Sequence, residues 1–289
     1  MPTPFFIRNG KVLMTAPTVA DIMALMEALA PVRLAEEWDN VGLQVGRRAA
    51  PVRKVRLALD PLPDVIRAAC RDRIDLLITH HPLLFRPLRQ LDFDTPSGAA
   101  IEAAARNGLA VFAAHTNLDS VSGGVNDILA ERIGISVEGP LAPAEAADGA
   151  GIGRIGRLRP PEAVADLARR VGTAVSVDAV RMVGAPHTAV ETVALCSGSG
   201  GGLLGAFLAT GATAYITGDL KYHEARDVEA AGRVALDIGH FASEHLAMPA
   251  LARRLEDRIG DAGMAVAVDL AGEERDPFRT LAVNGEKSA

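Results

Sequence analysis

Apolar and polar positions along this chain fall into two alternating periods. TVADIMALMEALAP, residues 18–31, carries apolar residues at helical spacing and stops at a proline. VGLQVG and VRKVRLALD alternate or run apolar and predict strands. PDVIRAACRD predicts a helix with Pro63 near its start, and IDLLITHH predicts a strand. SGAAIEAAARNG predicts a helix ended by Gly108, and LAVFAAHTNLD a further strand. GGVNDILAERIG opens another helix after a glycine pair. Strand and helix taking turns in this way predict an α/β layered unit with a parallel or mixed sheet.

Residues 136–190 break the pattern. The stretch EGPLAPAEAADGAGIGRIGRLRP is rich in Ala, Gly and Pro and reads as a connector, followed by a short helix near 161–171 and a strand or two. The alternation then resumes. VETVALC, ATAYITGD and RVALDIG read as strands; GGLLGAFLATG, EARDVEAAG and SEHLAMPALARRLEDRIG read as helices. In both halves the first and second strands begin about 20 residues apart, and each strand ends in polar or glycine-containing residues. The expected class is therefore α/β, with two similar α/β units with mixed sheets joined by a connector. The expected boundaries are a flexible extension at 1–17, a first unit at 18–135, a connector at 136–190 and a second unit at 191–289.

Composition narrows this picture. Apolar residues make up 49% of the 289 positions, enough for a folded core. No apolar stretch approaches the ~20 residues needed to span a bilayer. The opening segment lacks the apolar run and cleavage site of a signal peptide, so a cytoplasmic location is expected, with no membrane association. The net charge of −6 disfavours generic binding to a phosphate backbone. Cys70 and Cys196 lie far apart with no CxxC pair and read as free thiols.

The unusual residues gather where α/β sheets place ligands, at the carboxyl ends of strands. His80 and His81 end one strand, His115 and Asp119 the next, and His240 the last, with Glu244 four positions later. Six of the seven histidines lie in or beside such strand ends. Inside a strand, neighbouring side chains point to opposite faces. At the end of a strand broken by Pro82, the backbone can turn and aim both imidazoles at one cleft. If a helix starts at His240, Glu244 shares its face. Imidazole with carboxylate suits Zn, Fe, Mn or Co. His80, His81, Asp119, His240 and Glu244 are too many ligands for one catalytic metal with an open position. They are a natural count for two divalent metal ions sharing a carboxylate.

Other segments carry weaker signals. CSGSGGGLLGAF is a glycine-rich strand-to-helix turn, able to hold an anion on backbone N–H groups or simply to pack closely. It lacks the Lys-Ser/Thr of a Walker A loop. ITGDLKYHEARD sets Asp219, Lys221, Tyr222 and His223 at another strand end, either as substrate contacts and acid–base groups or as a solvated loop. Trp38, the only tryptophan, lies in AEEWDNVGLQVG and either walls a pocket or packs.

Taken together, EEWDNVGLQVG, ITHHPLLF, AAHTNLDSVSGGVND, CSGSGG, YITGDLKYHEA and DIGHFASE resemble the Nif-three-like family of dinuclear-metal-centre hexameric proteins, homologues of GTP cyclohydrolase I type 2. The segments span about residues 20–255 in the family's order. The resemblance implies a toroidal homohexamer with metal pairs facing an inner cavity, and the short form of the family, without a large inserted domain. It puts the metal ligands on His80, His81, Asp119, His240 and Glu244. His115 and His223 match positions close to the metals and suit proton transfer or substrate contact, the catalytic roles expected here. Gly198, Gly200, Gly201 and Lys221 are the expected holders of a nucleotide's triphosphate. The resulting reading is a metal-dependent hydrolase of the GTP cyclohydrolase I type 2 kind. A nucleotide phosphoesterase would use the same residues, and a non-catalytic regulatory or metal-handling hexamer is the reading from another class.

Overall fold

The computed structural model describes residues 6–8, 11–13, 16–144 and 149–281. The expected flexible extension at 1–17 lies mostly outside these residues. Within it, β1 (Phe6–Arg8) and β2 (Lys11–Leu13) pair antiparallel. Next come α1 (Val19–Leu29), β3 (Gly42–Val45), β4 (Lys54–Ala58), α2 (Pro63–Arg71), β5 (Leu76–Thr79), α3 (Pro96–Asn107) and β6 (Ala110–Ala113). The chain continues through α4 (Thr116–Ser120), α5 (Val125–Arg132), β7 (Ser136–Pro143), β8 (Gly151–Ala163), α6 (Val164–Ala174) and β9 (Arg181–Val183). It proceeds through β10 (Ala189–Ser199), α7 (Leu204–Ala209), β11 (Ala214–Gly218), α8 (Tyr222–Ala230) and β12 (Val234–Asp237). It closes with α9 (His240–His245), α10 (Met248–Asp261) and β13 (Ala267–Leu270). Among the described residues, no helix is long and apolar enough to cross a membrane.

Two compact units result: residues up to 118 with 248–274, and residues 119–247 with those from 275. In the first, a five-stranded sheet runs β13-β4-β5-β6-β3, parallel except for β3 at its edge. β5 and β6 are buried at every position, as parallel strands covered on both faces must be. Val65, Ile66 and Ala69 of α2 and Ala100 and Ala104 of α3 pack with Ala58, Leu77 and Val111 of the strands. The helices start and stop where side chains satisfy their ends. Thr18 and Asp21 form a reciprocal capping box at α1. Thr95 accepts from Gly98 N at 3.1 Å at the start of α3, and Gly108, in the left-handed conformation, ends it.

The second unit holds a six-stranded sheet in the order β7-β8-β10-β11-β12-β9. β10, β11 and β12 run parallel, and β8 and β9 flank them antiparallel. The strict alternation of strand side chains divides its core in two. Val193, Leu195, Ala214, Ile216, Val234 and Leu236 face α5 and α6 on one side. Ala194, Cys196, Tyr215 and Ala235 face α7 and α8 on the other. Each unit thus has three consecutive parallel strands with an antiparallel strand beyond the third. The two are similar, as the recurrence in the sequence implies.

The boundaries differ from those expected at two places. Residues 136–190 are no connector, since they supply β7, β8, β9 and α6 to the second sheet. The chain after 247 also does not stay with the second unit. α10 and β13 return to the first, where β13 pairs along the outer edge of β4. Arg56 of β4 fixes that return, with Nε and Nη2 each 2.8 Å from one oxygen of Asp269.

β8 owes its place to a buried cation that periodicity does not reveal. Arg154 is 2% exposed and grips both oxygens of Asp127, at 2.8 and 2.7 Å. Its remaining N–H groups reach the carbonyls of Gly151, Gly153 and Val121. All five guanidinium donors are used, which offsets the cost of burying the charge. Arg154→Met should therefore destabilise the protein by about 3 kcal/mol, because it leaves Asp127 and three carbonyls without their donor. Denaturant unfolding measures this, and an unchanged midpoint would refute the role.

Candidate metal centre

Strand ends build the site in each unit. In the first, β5 ends at Thr79, and the ladder extends for two more residues. His80 N donates to Ala58 O at 3.1 Å and His81 N to Leu59 O at 2.9 Å. Thr79 Oγ1 donates to His81 O at 2.7 Å, which secures the turn before Pro82. The rings of His80 and His81 lie 5.0 Å apart, and each approaches His115, just beyond β6, at 5.1 and 5.5 Å. One ligand nitrogen from each of the three histidines falls within 4.8 Å of the others, close enough to surround a single ion.

What orients these rings is the acceptor behind each one. His80 Nδ1 lies 3.0 Å from Ala114 O, and His81 Nδ1 lies 2.7 Å from Asp60 Oδ1. His115 Nδ1 lies 2.9 Å from Asp39 Oδ1. A carbonyl or carboxylate oxygen can only accept, so each Nδ1 carries the proton and Nε2 is left as the basic nitrogen. That is the arrangement found behind metal-ligating histidines. Burial works against the Asp39 charge. Hydrogen bonds from His115 and from Thr116 outweigh it and hold that carboxyl well below the usual carboxylate range.

The second unit repeats the motif. α9 begins at His240, after Gly239 in a positive-φ turn. Its pitch brings His240 Nε2 to 3.0 Å from Glu244 Oε2, while His240 Nδ1 is held by Asp219 Oδ2 at 2.8 Å. Glu244 is 4% exposed. Asp119, in α4, is tied through its backbone oxygen to Asn126 Nδ2 at 3.1 Å. Burial, and then the charges of Asp119 and Glu244, push the Cys196 thiol far up, and among the described residues no cysteine joins the groups that could hold a metal ion.

The remaining predicted residues have other surroundings. A Cβ on Gly198, at φ +63°, would overlap the Glu244 carboxylate, so only glycine lets that acid approach β10. The Gly198 N–H is taken by Ser243 Oγ at 2.8 Å and the Gly200 N–H by Thr217 Oγ1 at 3.0 Å. The Glu224 carboxylate abuts Gly201. The N–H groups of Gly198 and Gly200 thus serve neighbouring side chains, and all three glycines stand where a Cβ would meet a neighbouring group. Lys221 precedes α8 with its side chain exposed, 3.8 Å from Glu224. His223 is exposed, with its ring edge-on to Tyr222 at 5.3 Å. His115 stands with His80 and His81. Asp60 and Asp39 were missed as functional residues. Asp60 lies two residues beyond the end of β4.

The donor set, imidazole with carboxylate and no thiolate, fits divalent Zn, Fe, Mn or Co. Strand-end histidines backed by acceptors on an α/β sheet form groups that could hold a metal ion. The family described as Duf34/NIF3 (NGG1p interacting factor 3) matches residues 17–277, and the chain belongs to it. A protein of Clostridium perfringens named GTP cyclohydrolase 1 type 2 homolog is 36% identical over 262 residues, covering 90% of this chain and 98% of its own length. A homolog of the same name from Clostridium acetobutylicum is 32% identical over the same shares. Among solved structures, a Bacillus cereus protein related to NIF3 superposes with a TM-score of 0.85 at 25% identity, covering 93% of this chain and all of the other. Reduced HcgD from Methanocaldococcus jannaschii gives 0.75 at 27% identity, over 88% and 98%.

Asp60→Asn keeps the shape of the side chain behind His81 but removes its charge. Metal affinity, read by competition with a chromophoric chelator, should fall about 10- to 100-fold. Unchanged affinity would show that Asp60 does not orient a ligand.

Proposed function

We propose that this chain is a dinuclear metal-dependent hydrolase that opens the imidazole ring of GTP and releases C8 as formate. His80, His81, Asp119, His240 and Glu244 would hold two divalent cations. The observation that carries this reading is the set of acceptors behind His80, His81 and His240, which leaves the Nε2 of each for a ligand role, with a fourth acceptor behind His115. The names of the relatives support the substrate. Bound cations would supply the acidity that activates a water and offsets charge on the ring.

The protein's own groups do the rest. Asp39, held ionised, keeps His115 Nδ1 as the donor, which leaves Nε2 to accept and return a proton. Asp60 and Asp219 orient His81 and His240 in the same way. Glu244, nearly excluded from solvent beside His240, meets a partner with little competition from water.

The metal-loaded protein should release formate from GTP, and Asp119→Ala should lower that rate about a hundredfold or more. Full formate release by Asp119→Ala would contradict the proposal. Phosphate without formate would assign the same residues to a phosphoesterase.

A further inference from the structure

The residues around His115 hold two large apolar rings in solvent. Trp38 is 59% exposed and Phe85 46%. Single exposed hydrophobics are ordinary, but these two are ordered against each other and against one imidazole. Trp38 meets Phe85 edge-on at 5.8 Å and 70°. Trp38 meets His115 at 6.1 Å and 77°, and Phe85 meets it at 6.2 Å and 79°. Three mutually edge-on rings make a corner in which flat ring faces stay uncovered.

The backbone beneath both rings is pinned. Asp39, next to Trp38, accepts from Thr116 N at 3.0 Å and from His115 Nδ1 at 2.9 Å. Leu84, next to Phe85, donates through its N–H to Gln44 Oε1 at 3.0 Å and accepts from Asn40 Nδ2 at 2.5 Å. Gln44 Nε2 donates in turn to Asn40 O at 2.7 Å. Two rings on fixed backbone have little conformational freedom left to lose when something stacks on them. Asp39 also joins the corner to the metal-competent histidines, since it orients His115 and follows Trp38 directly.

We propose that Trp38 and Phe85 form a stacking wall for a planar heteroaromatic ring, delivered edge-first to the His80–His81–His115 cluster. Stacking on aromatic faces suits a purine and is indifferent to a phosphate tail. The proposal deepens the hydrolase reading by naming the part of the substrate that is gripped, but the stacking itself does not depend on turnover.

Trp38 is the only tryptophan, so its emission reports on this corner alone. The metal-loaded chain is titrated with guanosine, with GTP and with inorganic tripolyphosphate. Guanosine and GTP should quench saturably, and tripolyphosphate should not. Phe85→Ala should weaken guanosine about tenfold by the same signal, and Trp38→Ala about tenfold or more by equilibrium dialysis, with metal content unchanged. Both side chains are exposed, so both variants should fold. The wall is refuted if no ring compound quenches, if tripolyphosphate reproduces the effect, or if neither variant loses affinity. It is also refuted if emission follows protein concentration rather than ligand, which would assign the corner to contact between copies. Guanosine binding without formate release sinks the hydrolase reading and keeps the wall. Formate release with no ring-dependent quenching does the reverse.

Discussion

The hydrogen bond from imidazole Nδ1 to a fixed oxygen acceptor is the constraint on which the site depends. A histidine at a strand end has two rotatable bonds and two tautomers. An acceptor at Nδ1 removes the wrong tautomer and fixes the ring plane. Ala114 O does this for His80, Asp60 for His81, Asp39 for His115 and Asp219 for His240. Three of the four acceptors are carboxylates. Remove them and the same histidines become ordinary polar groups at a sheet margin.

The fold exists to put those acceptors and rings at matching heights. In parallel strands the carboxyl ends lie side by side, so Asp60 beyond β4, His80 and His81 beyond β5, and His115 beyond β6 converge without a long loop. The second unit does the same with Asp219 after β11 and His240 after β12. Gly198, at the end of β10, admits the Glu244 carboxylate where any side chain would exclude it.

Much of this was legible in the sequence. The apolar runs at 76–79, 110–113 and 214–218 are buried strands, and a local period suffices to find them. The histidine pair before Pro82 and the four-residue spacing of His240 and Glu244 also carry their geometry locally. What escaped was set by distant partners. β8, in the stretch GIGRIGRLRP, has few β-branched residues, and its buried Arg154 reads as a surface cation until Asp127 is placed beside it. β13 has an exposed, unremarkable pattern and is a strand because β4 offers it an edge and Arg56 holds Asp269. Asp39 and Asp60 lie 76 and 21 residues from the histidines they orient, so no spacing could mark them. The glycine loop has the composition of an anion cradle, and distant side chains take the N–H groups of Gly198 and Gly200, which composition does not reveal.

The most direct test counts metal atoms per chain by elemental analysis, on protein purified without a histidine tag or chelator, for the native sequence and for His81→Ala. The account predicts about two divalent ions in the native protein and a clear loss in the variant. Protein that stays metal-free even after reloading with Zn, Mn and Fe would contradict it, and the oriented histidines would then serve structure alone.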